Sequence, residues 1–115
     1  MKNLYIHFFR DLHIKNKISP VGIDPTTLLL LHLVAVKNIE KKPLTITEAM
    51  SLSEVGSPAT IHRKLDQLRD ANLIESVFIG SNRRTKYIKT SKEANVYFEK
   101  LSDAMIKTVD SFRAT

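Results

Sequence analysis

The segment from Ser57 to Lys89 constrains the fold of this chain more than any other. Ser57-Pro58 opens a helix: the serine can accept a free amide of the first turn, and proline is preorganised at the first helical position. Ile61, Leu65 and Leu68 follow at spacings of four and three, which gives one buried face to a helix running to about Ala71. Asn72 can close that helix in a left-handed conformation, a place usually taken by glycine. Leu73 to Ile79 then reads as a strand, Gly80-Ser81-Asn82 as a turn, and Thr85 to Lys89 as an alternating return strand. A basic helix leading straight into a two-stranded hairpin leaves few architectures open.

The segments before and after narrow them further. Asp24-Pro25 repeats the cap-plus-proline pattern and begins a helix to about Glu40. That helix is apolar nearly all round (Leu28 to Leu31, Leu33, Val34, Val36), so it needs cover on more than one side, and a partner subunit is one source. Thr47 is read as the cap of a short helix from Glu48 to about Leu52, with Val55-Gly56 as the turn before Ser57. Near the start, Leu4, Phe8, Phe9 and Leu12 suit an amphipathic helix over Lys2 to Ile14, with a strand over Leu4 to Phe9 as the alternative. At the other end Ser91 caps a long helix to about Phe112. Its Ala94, Phe98, Leu101, Met105, Thr108 and Phe112 form a heptad-like seam for packing against another long helix.

The expected fold class is therefore mainly α with a small β-hairpin wing: a winged helix-turn-helix flanked by N- and C-terminal dimerisation helices. One domain is expected over 1–115, with an N-terminal helix and linker at 1–24, a winged-helix core at 25–90 and a C-terminal helix at 91–115. Phe8, Phe9, Leu12, Phe98, Leu101, Met105 and Phe112 are the expected dimerisation residues.

Charge points to the partner. The chain carries a formal +6, and the segment from Ser57 to Lys89 holds seven basic residues against three acids. Such a balance favours a polyanion. In a helix-turn-helix the second helix presents its N-terminal residues to base edges, and small or hydrogen-bonding side chains there let the backbone approach. Ser57, Ala59, Thr60, His62, Arg63 and Lys64 fit that need. Arg83 and Arg84 sit at the hairpin tip, where no core can use them, and with Lys86 they suit a minor groove or phosphates.

Four stretches, SPATIHRKLDQL from Ser57, NLIE from Asn72, NRR from Asn82 and TSKEA from Thr90, make Leu44 to Leu101 resemble the winged helix of the MarR family of bacterial regulators. The family pattern is a recognition helix, a "GLI" strand, an arginine-bearing wing and a "T-x-K-G" helix start. The resemblance implies a homodimer on a pseudo-palindromic operator. It implies Ser57, Ala59, Thr60, His62 and Arg63 at the groove and Arg83 or Arg84 as the wing arginine. Two positions depart: Asn82 stands where the family has an acid before the wing arginine, and Asn72 replaces the glycine before "LI". The chain is also short for the family.

Other classes find little support. Cysteine is absent, and His7, His13, His32 and His62 include no pair at the i, i+4 spacing of a helical metal site, so no metal or cofactor is expected. His32 reads as a hydrogen-bonded core or interface residue, with pH or ligand sensing as the minority reading. There is no nucleophile elbow, phosphate loop or dinucleotide fingerprint, so no enzyme is expected. Leu28 to Val36 is about half the ~20 residues a bilayer span needs. Met1 to Ile18 lacks the apolar core of a signal peptide, so a soluble, cytoplasmic protein without membrane contact is expected. The leading reading is a double-stranded-DNA-binding transcriptional regulator, a repressor in its simplest form, with any small-molecule effector unknown. The competing readings are a winged-helix protein-interaction or assembly module, and a plasmid or phage replication or partition factor.

Overall fold

The computed structural model describes residues 2–20 and 22–114. In chain order the elements are α1 (Leu4–Arg10), which runs on into a π-helical turn (Asp11–Lys15), then α2 (Pro25–Ile39), α3 (Ile46–Ala49), α4 (Pro58–Asp70), β1 (Ile74–Ile79), β2 (Asn82–Thr90) and α5 (Lys92–Ala114). The N-terminal segment is helical, not a strand. The chain divides into two compact units, one of residues 22–94 and one made of 1–21 with 95–115.

The 22–94 unit holds the helix-turn-helix and the hairpin. Its core takes Leu30, Leu31 and Val34 from α2, Ala49 from α3, Ile61, Leu65 and Leu68 from α4, and Ile74 and Ile88 from the hairpin. Each buried leucine, isoleucine or valine side chain contributes about 1.5–3 kcal/mol by leaving water. The buried residues of α2 (Thr27, Leu30, Leu31, Val34) form a single stripe; Leu29, Val36 and Ile39 stay exposed.

Helix ends follow local rules. Asp24 and Ser57 cap α2 and α4 as their sequence contexts predict, accepting the Thr27 amide at 2.9 Å and the Thr60 amide at 3.3 Å. The short helix α3 is a correction: its cap is Thr45, not Thr47. Thr45 is three residues before Glu48, so the Thr45 hydroxyl accepts the Glu48 amide while Glu48 accepts the Thr45 amide, a reciprocal pair that Thr47 could not form.

Asn72 adopts φ 60° and ends α4. The Leu73 amide reaches the Leu68 carbonyl and the Asn72 amide the Arg69 carbonyl, both at 2.9 Å, so two otherwise unpaired carbonyls are satisfied. Lys41, also at φ 60°, ends α2 in the same way, with the Lys42 amide on the Lys37 carbonyl. Lysine gains no local hydrogen bond from that conformation, whereas asparagine tolerates it. Lys41→Gly should therefore stabilise the protein by about 0.5–1 kcal/mol, and Asn72→Gly by less, as read from urea midpoints.

In the other unit, Asn3 caps α1 by accepting the Ile6 amide. The π-helical turn widens the backbone at Asp11, whose carboxylate accepts the hydroxyl of buried Thr108 of α5 at 2.6 Å. That bond holds the Asp11 carboxyl below its ordinary range. The inward stripe of α5 in this unit includes Ala104 and Thr108, while Met105 of the expected seam is 52% exposed. Met105 instead borders a 380 Å³ groove lined also by Leu4, Tyr5 and Phe8. Of the remaining expected dimerisation residues, Phe9 is exposed and Phe8, Leu12, Phe98, Leu101 and Phe112 are half-buried. The Phe112 ring lies edge-on to His7 at 5.4 Å.

Candidate nucleic-acid interface

Burial divides α4 cleanly. Ile61, Leu65 and Leu68 are at most 1% exposed, while Ala59, His62 and Arg63 are open to solvent. At about 100° per residue the open positions lie together, opposite the core stripe. Ser57 and Thr60 form the approach to this face, with the Ser57 hydroxyl donating to the Thr60 hydroxyl oxygen at 2.9 Å. The turn before them is tight. A Cβ built at Gly56 would come within 3.1 Å of Thr60 Cγ2, so a larger residue there would require the Thr60 side chain to give way.

Two charged residues of α4 behave as their neighbours dictate. His62 Nδ1 lies 3.5 Å from Asp66, which also accepts from Arg69 at 2.9 Å. Asp66 was not singled out from the sequence, although its i, i+4 relation to His62 was a usable signal. It adds a carboxylate acceptor to that face, the chemistry that can meet a cytosine amino group. Lys64 differs from the other expected groove residues. Its side chain is 14% exposed and its ammonium lies 3.2 Å from Asp24, towards α2.

The hairpin tip is built around a displaced register. Ile74 to Phe78 pair regularly with Thr90 to Lys86, but Ile79 pairs with Asn82, so Arg83, Arg84 and Thr85 bulge out of the ladder. Gly80 has φ 64° as the first of the two turn residues, the requirement of a type II′ turn. The bulge deprives the Arg84 amide of a cross-strand carbonyl. Asn82 Oδ1 accepts it at 2.9 Å instead. An acid at 82 could do the same, but it would also place a negative charge beside the guanidinium. Asparagine holds the backbone and leaves the arginine charge intact.

Phe78 organises the cations next to it. The Arg83 guanidinium and the Lys86 ammonium each lie 5.5 Å from its ring centre. Among the described residues no ring or ion-pair partner engages the Arg84 side chain, and it points from a held backbone into solvent. At its base the hairpin is tied to α2 by Asn38. Its Nδ2 donates to the Ile88 carbonyl at 3.1 Å and its Oδ1 accepts the Thr90 amide at 2.9 Å. The Ile88 amide donates to the Leu44 carbonyl at 2.7 Å, so both sides of β2 are anchored. Phe78 and Asn38 carry no local signal of these roles, since their partners lie across the hairpin or fifty residues away.

A helix-turn-helix with its second helix half-buried, followed by a hairpin with an arginine-bearing tip, defines the winged helix-turn-helix fold. The chain has that fold. No protein-family model matches it. The transcriptional regulator Tm0710 from Thermotoga maritima is similar over 96% of this chain and 72% of its own, with a TM-score of 0.67 at 13% identity. RV1404 from Mycobacterium tuberculosis is similar over 96% of this chain and 69% of its own, with a TM-score of 0.63 at 14% identity. ZitR from Lactococcus lactis is similar over 84% of this chain and 62% of its own, with a TM-score of 0.54 at 20% identity. At such identities the likeness establishes the fold. Among the described residues no helix is long and apolar enough to cross a membrane.

Proposed function

We propose that this chain is a homodimeric, MarR-like transcriptional regulator of the cytoplasm that binds double-stranded DNA in a sequence-specific way and represses by occupying its operator. One observation carries the reading: the two sides of α4. Its apolar stripe is shut in the core, and what remains open at its N-terminal half is Ala59, His62 and Arg63, flanked by Ser57 and Thr60. A protein-docking helix would leave an apolar patch there. This one offers small, hydrogen-bonding and cationic groups, which is what a major groove requires.

The wing adds Arg83, Arg84 and Lys86, all exposed, in the position to follow the adjoining minor groove and its phosphates. The homodimer is supported by α1 and α5. Tyr5, Ile6, Phe9, Met105 and Ile106 are all exposed there, apolar surface that a second copy of the chain would cover. The description of Tm0710 as a transcriptional regulator agrees with this reading in kind.

Selection from random DNA duplexes at two salt concentrations tests it. A pseudo-palindrome with half-sites about one helical turn apart should be enriched, with affinity falling as salt rises. Failure to enrich any sequence, or an affinity indifferent to salt, would sink the proposal.

A further inference from the structure

Lys64 belongs to a closed polar network between α4 and the start of α2. Its ammonium donates to Asp24 Oδ1 at 3.2 Å, to Thr27 Oγ1 at 3.2 Å and to Thr26 Oγ1 at 3.4 Å. Thr27 is fully buried, and its hydroxyl lies 2.9 Å from Asp24 Oδ2 and 3.0 Å from Gln67 Oε1. Asp24 meanwhile caps α2. Hydrogen bonds to this carboxylate, first from the Thr27 amide and then from its hydroxyl, keep it ionised well below the ordinary carboxyl range. Lys64 therefore has a permanent anion to face.

The geometry bears on pose more than on bulk stability. Lys64 and Gln67 stand one turn apart on α4, and both reach the same threonine and its neighbours. Two tethers a turn apart oppose rotation of a helix about its own axis and add direction to the packing of its apolar stripe. Rotation of α4 decides whether His62 and Arg63 meet base edges or miss them. A lysine reaching a phosphate would need its ammonium outward; here the ammonium is turned towards Asp24 and Thr27 at the start of α2.

We infer that Lys64, with Asp24, is a positioning residue of the DNA-reading helix and not a DNA contact: the Lys64–Asp24–Thr27–Gln67 network sets the rotation of α4 against α2. The inference rests on the DNA-binding reading above. It departs from the expectation that Lys64 joins Arg63 at the groove.

The test is a double-mutant cycle of Lys64→Met and Asp24→Asn, read by DNA affinity across a salt series on the full chain. Asparagine caps helices as well as aspartate does, so α2 is kept, and thermal denaturation confirms that each variant is folded. Each single variant should bind the selected duplex about tenfold more weakly, with the double no weaker than the worse single. The log–log salt slope should stay at the native value in all three, and preference for the selected over a random duplex should shrink. If Lys64→Met shallows the slope by about 0.9 while Asp24→Asn binds normally, Lys64 is a phosphate ligand and the inference is overturned. Native-like affinity and preference in both singles overturn it too, leaving a merely structural tie. Absence of salt-dependent duplex binding by the native protein is a different result, since it removes the DNA-binding reading itself.

Discussion

Replacing Arg83 and Arg84 together by alanine is expected to weaken duplex binding by at least about tenfold and to shallow the salt slope by about one to two. The stability of the chain should move by no more than about 0.5 kcal/mol, because both side chains are exposed and outside the ladder. The two arginines should not contribute equally. Arg83 is stacked on Phe78 and has to leave that ring, or carry it along, to reach a groove. Arg84 has its amide held by Asn82 and its side chain directed outward, so Arg84→Ala alone should account for most of the loss. Titrations of one selected duplex at four or five salt concentrations separate the cases. An unchanged slope in the double variant would mean that the wing does not touch the phosphates. Asn82→Asp provides a finer check: it keeps the acceptor for the Arg84 amide but adds a charge, and should weaken binding more at low salt than at high salt.

What could be read from the sequence was what depends on neighbours in the chain. Asp24-Pro25, Ser57-Pro58 and Asn72 act within three or four residues, and each sits where local chemistry puts it. The amphipathic stripe of α4 is equally local, being a matter of period alone. The cap of α3 went to the wrong threonine because Thr45 and Thr47 are alike until the position of Glu48 is weighed. The 52% exposure of Met105 on α5 could not be read from the sequence, because it depends on which elements pack against that helix and not on the spacing of its apolar residues.

The site was legible by composition but not by direction. Lys64 looks like Arg63 in a string of letters, and only the Asp24 carboxylate, forty residues earlier, turns it inward. The bulge at Arg83 to Thr85 was likewise hidden, since register depends on which residues of the opposite strand are met. Asn82, which in the sequence looks like the loss of an acid, accepts the Arg84 amide within the bulge.

The sharpest separation of fold from function lies two residues apart. Ile61→Ala should destabilise the protein by about 2–5 kcal/mol, because the residue is fully buried and its loss leaves a cavity between α4 and its neighbours. That is a large part of the roughly 5–15 kcal/mol typical of a domain, and DNA binding should fall only as the folded fraction falls. Arg63→Ala should do the reverse. Among the described residues Arg63 has no ion-pair or ring partner, so its urea midpoint should stay near native. The selected sequence should be bound with its preference relaxed at one position of each half-site, at a cost of about 1–3 kcal/mol if the guanidinium reads a guanine. Both outcomes follow from a single helix turned so that one stripe faces α2 and the hairpin while the other faces solvent. If Ile61→Ala alters sequence preference while remaining fully folded, or Arg63→Ala unfolds the chain, the division of α4 into a core side and a reading side is wrong.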